Sequence, residues 1–503
     1  MVAALVAVGL AGGPLAVSQS LGDAPARFRS VQADTFVRIL PAMVGRPIQP
    51  GFAGLSIEYP ALLSYGGADP RAPNPVLEQL IRDLAPGQSP VLRIGGDSTD
   101  HTWWPVAGVP RPPGVSYGLS PRWLAATRAL AQGVGARLIL GVNLEANDAA
   151  VAAAEGRALV SGIGRRYVQA LEIGNESNMY RKFTCYRTHA GDPIRGRPHS
   201  YGLTAFTRQF SQMRSLLGAI PLAGPTVGDY AWLKHLRPFL AAHPTLGVVT
   251  FHRYPLNRCF TRPGSPLYPS VSNLLSRGAA RGLAQGIGPY AAIAHSERVA
   301  FRVDEMNSVA CGGKAGVSNT FASALWAMDA LFAMARAGAD GVNIHTFPGA
   351  RYALFTFQHG PSGWTGTVHA EYYGLLMFAR AAPPGSRLLW VRTAGSAAVR
   401  AWATRSADGR IRLVLIEADL THRHMIAIRQ PSHATAASVE RLQAPSATAT
   451  AGVTLAGQSI AERTRTGTLR GAVRSGTPTA SGGRYELALP PASAAMVTIS
   501  LGR

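Results

Sequence analysis

The sequence predicts an α/β protein, a (β/α)8 TIM barrel followed by a C-terminal antiparallel β-sandwich. Three observations carry this: eight short β-rich runs alternate with helical stretches, polar residues gather just past those runs, and the texture changes beyond residue 380. Alternation of strand and helix implies a parallel sheet, and eight repeats imply its closure into a barrel. A chain of 503 residues has room for about two domains.

Taken in order, residues 1–20 are small and apolar, with Ala16-Val17-Ser18 as a signal-peptidase site. The stretch is too short and too broken by glycine for a membrane span. A signal peptide and a secreted or periplasmic product are expected, with no stable membrane insertion. The barrel domain is placed at 48–380, with strands from the runs at 54–59, 91–96, 137–142, 168–174, 220–223, 248–252, 300–304 and 342–346. Residues 385–503 then alternate or run apolar between Gly, Ser, Pro and Asp turns, which reads as the sandwich. Within them, 444–476 is rich in Thr, Ala, Ser and Gly and is expected to be a long loop or hairpin tip.

The active site of such a barrel lies at the C-terminal ends of its strands. There the run Leu171-Glu172-Ile173-Gly174-Asn175-Glu176 presents an amide beside a carboxylate, and Ala300-Phe301-Arg302-Val303-Asp304-Glu305 delivers a second glutamate. Hydrolysis of a glycosidic bond needs such a pair, one proton donor and one nucleophile or base. Glu58, Asp97, Asp100, Asn143, Glu145, His252, Tyr254, Asn307 and His345 share the rim. Asp100, His101 and His345 are expected to hold loops together, and His252 either packs in the rim or meets the substrate.

These residues resemble glycoside hydrolase family 79, the β-glucuronidases and heparanase, within the clan of retaining (β/α)8 glycosidases. The likeness runs from about residue 35 to the C-terminus. It rests on Asn175-Glu176, Glu305, Leu92-Arg93-Ile94-Gly95-Gly96, Thr250-Phe251-His252-Arg253-Tyr254, Cys311-Gly312-Gly313, Asn319-Thr320-Phe321 and Phe347-Pro348-Gly349-Ala350-Arg351-Tyr352. The resemblance implies Glu176 as acid/base and Glu305 as nucleophile, with Asn175 on the sugar 2-hydroxyl. It implies that Glu58 and Asp97 contact ring hydroxyls and that His252 and Tyr254 line the neighbouring side. Amides at Gly312 and Gly313, with the Tyr352 hydroxyl, would hold the uronate carboxylate; read alone, the two glycines are equally a turn. Cys311 stands where heparanase-like members carry tyrosine, and Arg351 or Lys314 would then supply a cation. Residues 33–47 are expected to add a strand to the sandwich, as in the family.

The net charge of +22 is the compositional outlier, and only three of the 49 basic residues are lysine: Lys182, Lys234 and Lys314. Arginine enrichment alone follows from genome composition, but the scarcity of acids also fits an anionic polymer partner. The basic residues are dispersed and no nucleic-acid motif occurs, so a glucuronic-acid-containing oligo- or polysaccharide is expected rather than nucleic acid. No metal site, phosphate loop or dinucleotide fingerprint is seen, so no cofactor is expected. Cys185, Cys259 and Cys311 lack metal-ligand spacing. Cys185 and Cys259 fall in loops on one face, where an oxidising compartment would let them pair. The expected activity is exo-acting β-glucuronidase; an endo-acting heparanase-like enzyme and a non-catalytic carbohydrate-binding protein are the alternatives. The basic insert at 181–199, with Arg181, Lys182, Arg187, Arg195 and Arg197, would either wall off a pocket or bind sulfated sugar.

Overall fold

The computed structural model describes residues 32–502, so the expected leader at 1–20 lies outside the described residues. The described chain begins with β1 (Thr35–Val44). Eight strands then follow in sequence order: β2 (Ala53–Ile57), β3 (Val91–Ile94), β4 (Arg137–Val142), β5 (Val168–Ile173), β6 (Leu222–Val227), β7 (Leu246–Arg253), β8 (Ala300–Met306) and β9 (Gly341–Thr346). Each pairs parallel to the next, and β9 pairs back onto β2 with His345 opposite Ser56, which closes the barrel. Their near-continuous apolar runs suit strands covered on both faces. Sequence reading placed the fifth strand early: β6 runs on through Gly224, Pro225 and Thr226.

Val91, Ile139, Ala170, Ala223 and Val248 form an apolar cluster from five successive-strand positions. Across the lumen runs Arg302, whose Nε donates to Asn343 Oδ1 at 2.5 Å and whose Nη2 donates to the Gly51 carbonyl at 2.8 Å. A Cβ at Gly341 would collide with that guanidinium, so a larger residue there would have to displace Arg302 from Asn343 and Gly51.

The C-terminal strands are β10 (Arg387–Ala394), β11 (Val399–Arg405), β12 (Ile411–Glu417), β13 (His424–Arg429), β14 (Ala434–Gln443), β15 (Thr454–Leu455), β16 (Thr479–Ser481), β17 (Arg484–Leu489) and β18 (Ser493–Leu501). With β1 they make one ten-stranded sheet, in the order β15-β14-β18-β12-β11-β10-β1-β13-β17-β16. Pairing is antiparallel except between β1 and β13. The sheet curls so that Val37, Leu389, Leu413, Leu487 and Val497 share one apolar core, giving a sandwich-like body with the N-terminal strand near its middle. It is tied to the barrel by a buried pair: Arg400 Nη1 meets Asp329 Oδ2 at 3.0 Å, and Trp402 Nε1 donates to Asp329 Oδ1 at 2.6 Å.

Residues 444–476 are not a free hairpin tip. Phe321 and Ala322 donate to the Ala449 and Ala447 carbonyls, the Ile460 amide donates to the Tyr373 hydroxyl oxygen at 2.7 Å, and Gly366 pairs with Thr464. The segment is a strap held on the barrel's helices by its own backbone. Among the described residues, no helix is long and apolar enough to cross a membrane.

Candidate active site

Glu176 follows β5 in the left-handed region, φ 48°, a conformation rare for a residue with a side chain and enriched at functional sites. Its amide donates to the Thr226 carbonyl at 2.9 Å, which fixes the turn and leaves the carboxyl on the rim, partly exposed. Glu305 ends β8 and is buried. His252, from β7, lies between them: its Nδ1 is 3.0 Å from Glu176 Oε1 and 4.0 Å from Glu305 Oε2. The two glutamates therefore converge. His252 is itself buried, with both carboxylates within reach of its Nδ1.

Three further groups hold Glu305. Arg93 Nη1 donates to Oε2 at 2.5 Å, the Tyr254 hydroxyl donates to Oε1 at 2.8 Å, and His345 Nδ1 is 3.2 Å from the same oxygen. Burial would raise this carboxyl, but His345 first, then His252 and Arg93, outweigh it and hold Glu305 well below the usual carboxylate range. His345 also faces Glu58 Oε1 through Nε2 at 3.2 Å. Burial opposes its imidazolium, yet Glu305 and Glu58 keep it up at about 10. The expectation that His345 only holds loops is corrected: its two ring nitrogens stand against Glu305 and Glu58.

The remaining candidates fall on the same floor. Glu58 Oε2 accepts from the Ser98 amide at 2.9 Å. Asn175 Oδ1 accepts from Arg93 Nη2 at 2.8 Å, and its Nδ2 faces Asp97 Oδ1 at 3.4 Å. Asp97 is pushed up to about 7, by enclosure and then by Glu58, Glu305 and Glu176. Asp100 does hold loops, accepting from the amides of Leu144, Glu145 and Asn175 and from the Tyr180 hydroxyl.

Fewer of the donors expected to meet a uronate carboxylate are free than the sequence suggests. The Gly313 amide donates to the Val309 carbonyl at 3.1 Å and is not free for an anion. Gly312, at φ 78°, offers its carbonyl to the Arg351 amide at 2.7 Å. Tyr352 is buried beside Tyr254, ring centroids 6.3 Å apart, and burial and then Glu305 push its hydroxyl well up, so it remains a donor. Lys314 is engaged with the Tyr268 hydroxyl at 2.8 Å; Arg351 is exposed.

The disulfide expectation is corrected as well. Cys259 pairs with Cys311, Cα atoms 6.3 Å apart, and Cys185 is free. The loops after β7 and β8 are neighbours, zipped by Leu256 opposite Val309 and Asn257 opposite Ala310. Cys185 sits instead on a hairpin after β5, Thr184–Arg187 with Pro193–Arg195. In the same insert Arg197 is buried, donating to the Leu144, Glu145 and Gly196 carbonyls, so it is structural.

Sequence reading assigned no role to Arg93, Glu172 or Asp304. Arg93 Nε meets Glu172 Oε2 at 2.7 Å and Asp304 Oδ2 at 3.7 Å, all fully buried. Burial and then Glu172 push Asp304 well up, while Arg93 outweighs burial and lowers Glu172.

The family model of the glycosyl hydrolase family 79 C-terminal beta domain matches residues 401–496. The matched stretch lies within the C-terminal sheet, so that part of the chain is similar to the β domain of glycosyl hydrolase family 79. No curated protein sequence matches it. Among solved structures it is similar to a 4-O-α-L-rhamnosyl-β-D-glucuronidase from Fusarium oxysporum 12S, at 17% identity and TM-score 0.70 over 92% of this chain and 100% of that one. A family 51 arabinofuranosidase from Xanthomonas axonopodis pv. citri gives 15% and 0.64 over 93% and 100%. A family 44 xyloglucanase from Paenibacillus polymyxa gives 11% and 0.59 over 94% and 100%. At these identities the likeness is one of fold, and a family 79 β domain on a TIM barrel is the frame in which the glutamates are read.

Proposed function

We propose that this protein is a family 79 retaining glycoside hydrolase that cleaves β-glucuronosidic bonds, with Glu305 as nucleophile and Glu176 as acid/base. One observation carries the reading: a single imidazole nitrogen, His252 Nδ1, reaches both carboxylates, at 3.0 and 4.0 Å. That favours the short carboxyl separation of retaining enzymes, about 5–5.5 Å, over the wider gap of about 6.5–9.5 Å that inverting enzymes need for a water. The environments also differ in the required sense. Glu305 is held ionised by His345, His252 and Arg93, ready to attack the anomeric carbon, while Glu176 reaches solvent at the rim, where a leaving group departs and water enters.

Asn175 stands beside Glu176 to meet the 2-hydroxyl; Glu58 and Asp97 offer acceptors to ring hydroxyls. The Gly312 amide and the Tyr352 hydroxyl are the donors left for a uronate carboxylate. Exo action is the favoured reading: the insert after β5 and the loop after β7 meet through Phe183 and Phe260, ring centroids 5.9 Å apart, a contact that would wall one side of a pocket. Endo action on an acidic polymer is the second reading, favoured by the exposed cations Lys182, Arg187 and Arg195 on that hairpin. An exported location agrees with the Cys259–Cys311 disulfide, which persists in oxidising compartments. Product analysis on an aryl β-glucuronide beside heparan sulfate decides the matter. Monomeric uronate means exo, chain shortening without monomer means endo, and no release from either substrate refutes the proposal.

A further inference from the structure

The outer face of the C-terminal sheet carries four arginines in a row. Arg392 on β10 is the register partner of Arg38 on β1, and Arg429 on β13 is the register partner of Arg484 on β17. β1 and β13 are themselves neighbours, Val37 opposite Ile428, so Arg38 and Arg429, each one residue further on, stand side by side. Val37 and Ile428 point into the apolar core of the sheet, and the next residues therefore point out. All four arginines are exposed. With strands about 4.8 Å apart, the row spans about 14 Å.

Like charges directly opposite one another destabilise a sheet. Here two such pairs are adjacent, and no carboxylate compensates them within the groove of about 630 Å³ that they line together with Phe36, Gly482 and Gly483. Glu486 follows on the same face of β17 but does not line the groove. Phe36 is 42% exposed, with the Arg484 guanidinium 5.4 Å over its ring. A large apolar ring left in water beside a row of unpaired cations suits a ligand with anionic groups at intervals and flat apolar faces between them.

We propose that this arginine row is a binding site for an acidic polysaccharide, separate from the catalytic rim. Guanidinium groups pair with carboxylates or sulfates in forked geometry, and the Phe36 ring offers a stacking face to a sugar. Nucleic acid would satisfy the same charges; the glycan is favoured because it is also the substrate class of the proposed function, on which this inference rests. The site would hold a polymer on the protein between cleavage events and raise its local concentration at the rim.

The test uses the full chain and the variant Arg38→Gln/Arg484→Gln, which touches nothing at the catalytic rim. Binding of a β-linked polyglucuronate oligomer is measured by titration calorimetry beside the neutral glucan of the same length, a DNA duplex and anionic phospholipid vesicles. Turnover of an aryl β-glucuronide is measured separately. The wild-type protein should bind polyglucuronate and not the glucan, and the variant should lose about tenfold or more in affinity, with a shallower salt dependence, as expected for two lost charge-assisted contacts. Aryl glucuronide turnover should be unchanged. Equal polyglucuronate affinity in the two proteins overturns the site, as does tighter binding of DNA or vesicles at the same salt. Failure of the catalytic reading shows up on its own, as absent turnover with the binding difference intact.

Discussion

Arg93 Nη1 lies 2.5 Å from Glu305 Oε2, with the guanidinium fully buried and the carboxylate nearly so. The same arginine meets Glu172 at 2.7 Å and Asn175 at 2.8 Å, so one side chain from β3 positions groups from β5 and β8. A buried cation is tolerated only when paired and hydrogen-bonded, and removing one partner of such a pair costs about 3–5 kcal/mol. The charges on the barrel floor therefore form one interlocked unit. Glu305 is the member that faces the rim.

Glu305→Gln is expected to reduce turnover of an aryl glucuronide to less than about a hundredth of wild type, since it removes the attacking carboxylate while changing little volume. Glu172 remains as Arg93's partner, so far-ultraviolet circular dichroism should be unchanged. Glu176→Gln should slow substrates with poor leaving groups most, because an activated phenol needs little protonation. Steady-state rates over a series of aryl leaving groups check both. Retention of more than about a hundredth of wild-type activity by Glu305→Gln would remove the nucleophile assignment.

His345 gives a stability prediction of defined sign. Its folded value, about 10, lies above the ordinary histidine value of about 6.5. The native state therefore holds more proton between these limits, and the stabilisation is complete below about pH 6.5 and lost as pH rises toward about 10. Glu305 is shifted the other way, below its ordinary range. Its contribution is complete above about pH 4.5 and is lost only as pH falls through the depressed native value. Thermal melts across pH should plateau between about 4.5 and 6.5. His345→Gln should flatten the alkaline decline and move the acid limb of kcat/KM to higher pH, because Glu305 loses its leading cation. An acid limb that stays in place would show that His345 does not set the charge of Glu305.

The Cys259–Cys311 bond closes a segment with a sequence separation of 52 and clamps the loops after β7 and β8. Cys311→Ser should lower stability by about 2–4 kcal/mol, the usual range for a bond that restricts the unfolded chain. Denaturant melts with and without reductant check this. Wild type should fall to the variant's midpoint on reduction, and the variant should not respond. A wild-type midpoint indifferent to reductant would mean that the two thiols are not joined.

Much of this was legible from residues, because strand ends in a parallel barrel share one rim whatever their distance in sequence. Asn175-Glu176 and Glu305 needed only that rule. Arg93 was visible within Leu92-Arg93-Ile94 but given no role; the missed signal is a charge inside an apolar run, matched by Glu172 and Asp304 inside two others. Charges sealed in one lumen must neutralise each other. The disulfide was misread although consecutive strands are neighbours, so the loops after the sixth and seventh runs had to lie together. The irregular run at 444–476 was legible as a long loop but its docking was not, since main-chain bonds at Ala447, Ala449 and Thr464 hold it in place. Backbone pairing of that kind leaves no side-chain pattern to read.

The last prediction concerns the uronate itself. Glucuronate differs from glucose by a carboxylate in place of a hydroxymethyl group, and the donors left to meet it are the Gly312 amide and the Tyr352 hydroxyl, the Gly313 amide being spent on Val309. Charge-assisted hydrogen bonds are worth roughly 1.5–3 kcal/mol each, so two should favour an aryl glucuronide over the matching glucoside by at least about a hundredfold in kcat/KM. Tyr352→Phe removes one donor without altering the ring that packs on Tyr254. It should cost the glucuronide about tenfold or more and leave the glucoside almost unchanged, which paired kcat/KM values would show. Equal losses on both substrates would mean that Tyr352 acts by orienting Tyr254, and through it Glu305. Equal wild-type rates on both would remove the uronate from the proposed function, while the roles of Glu176 and Glu305 would stand.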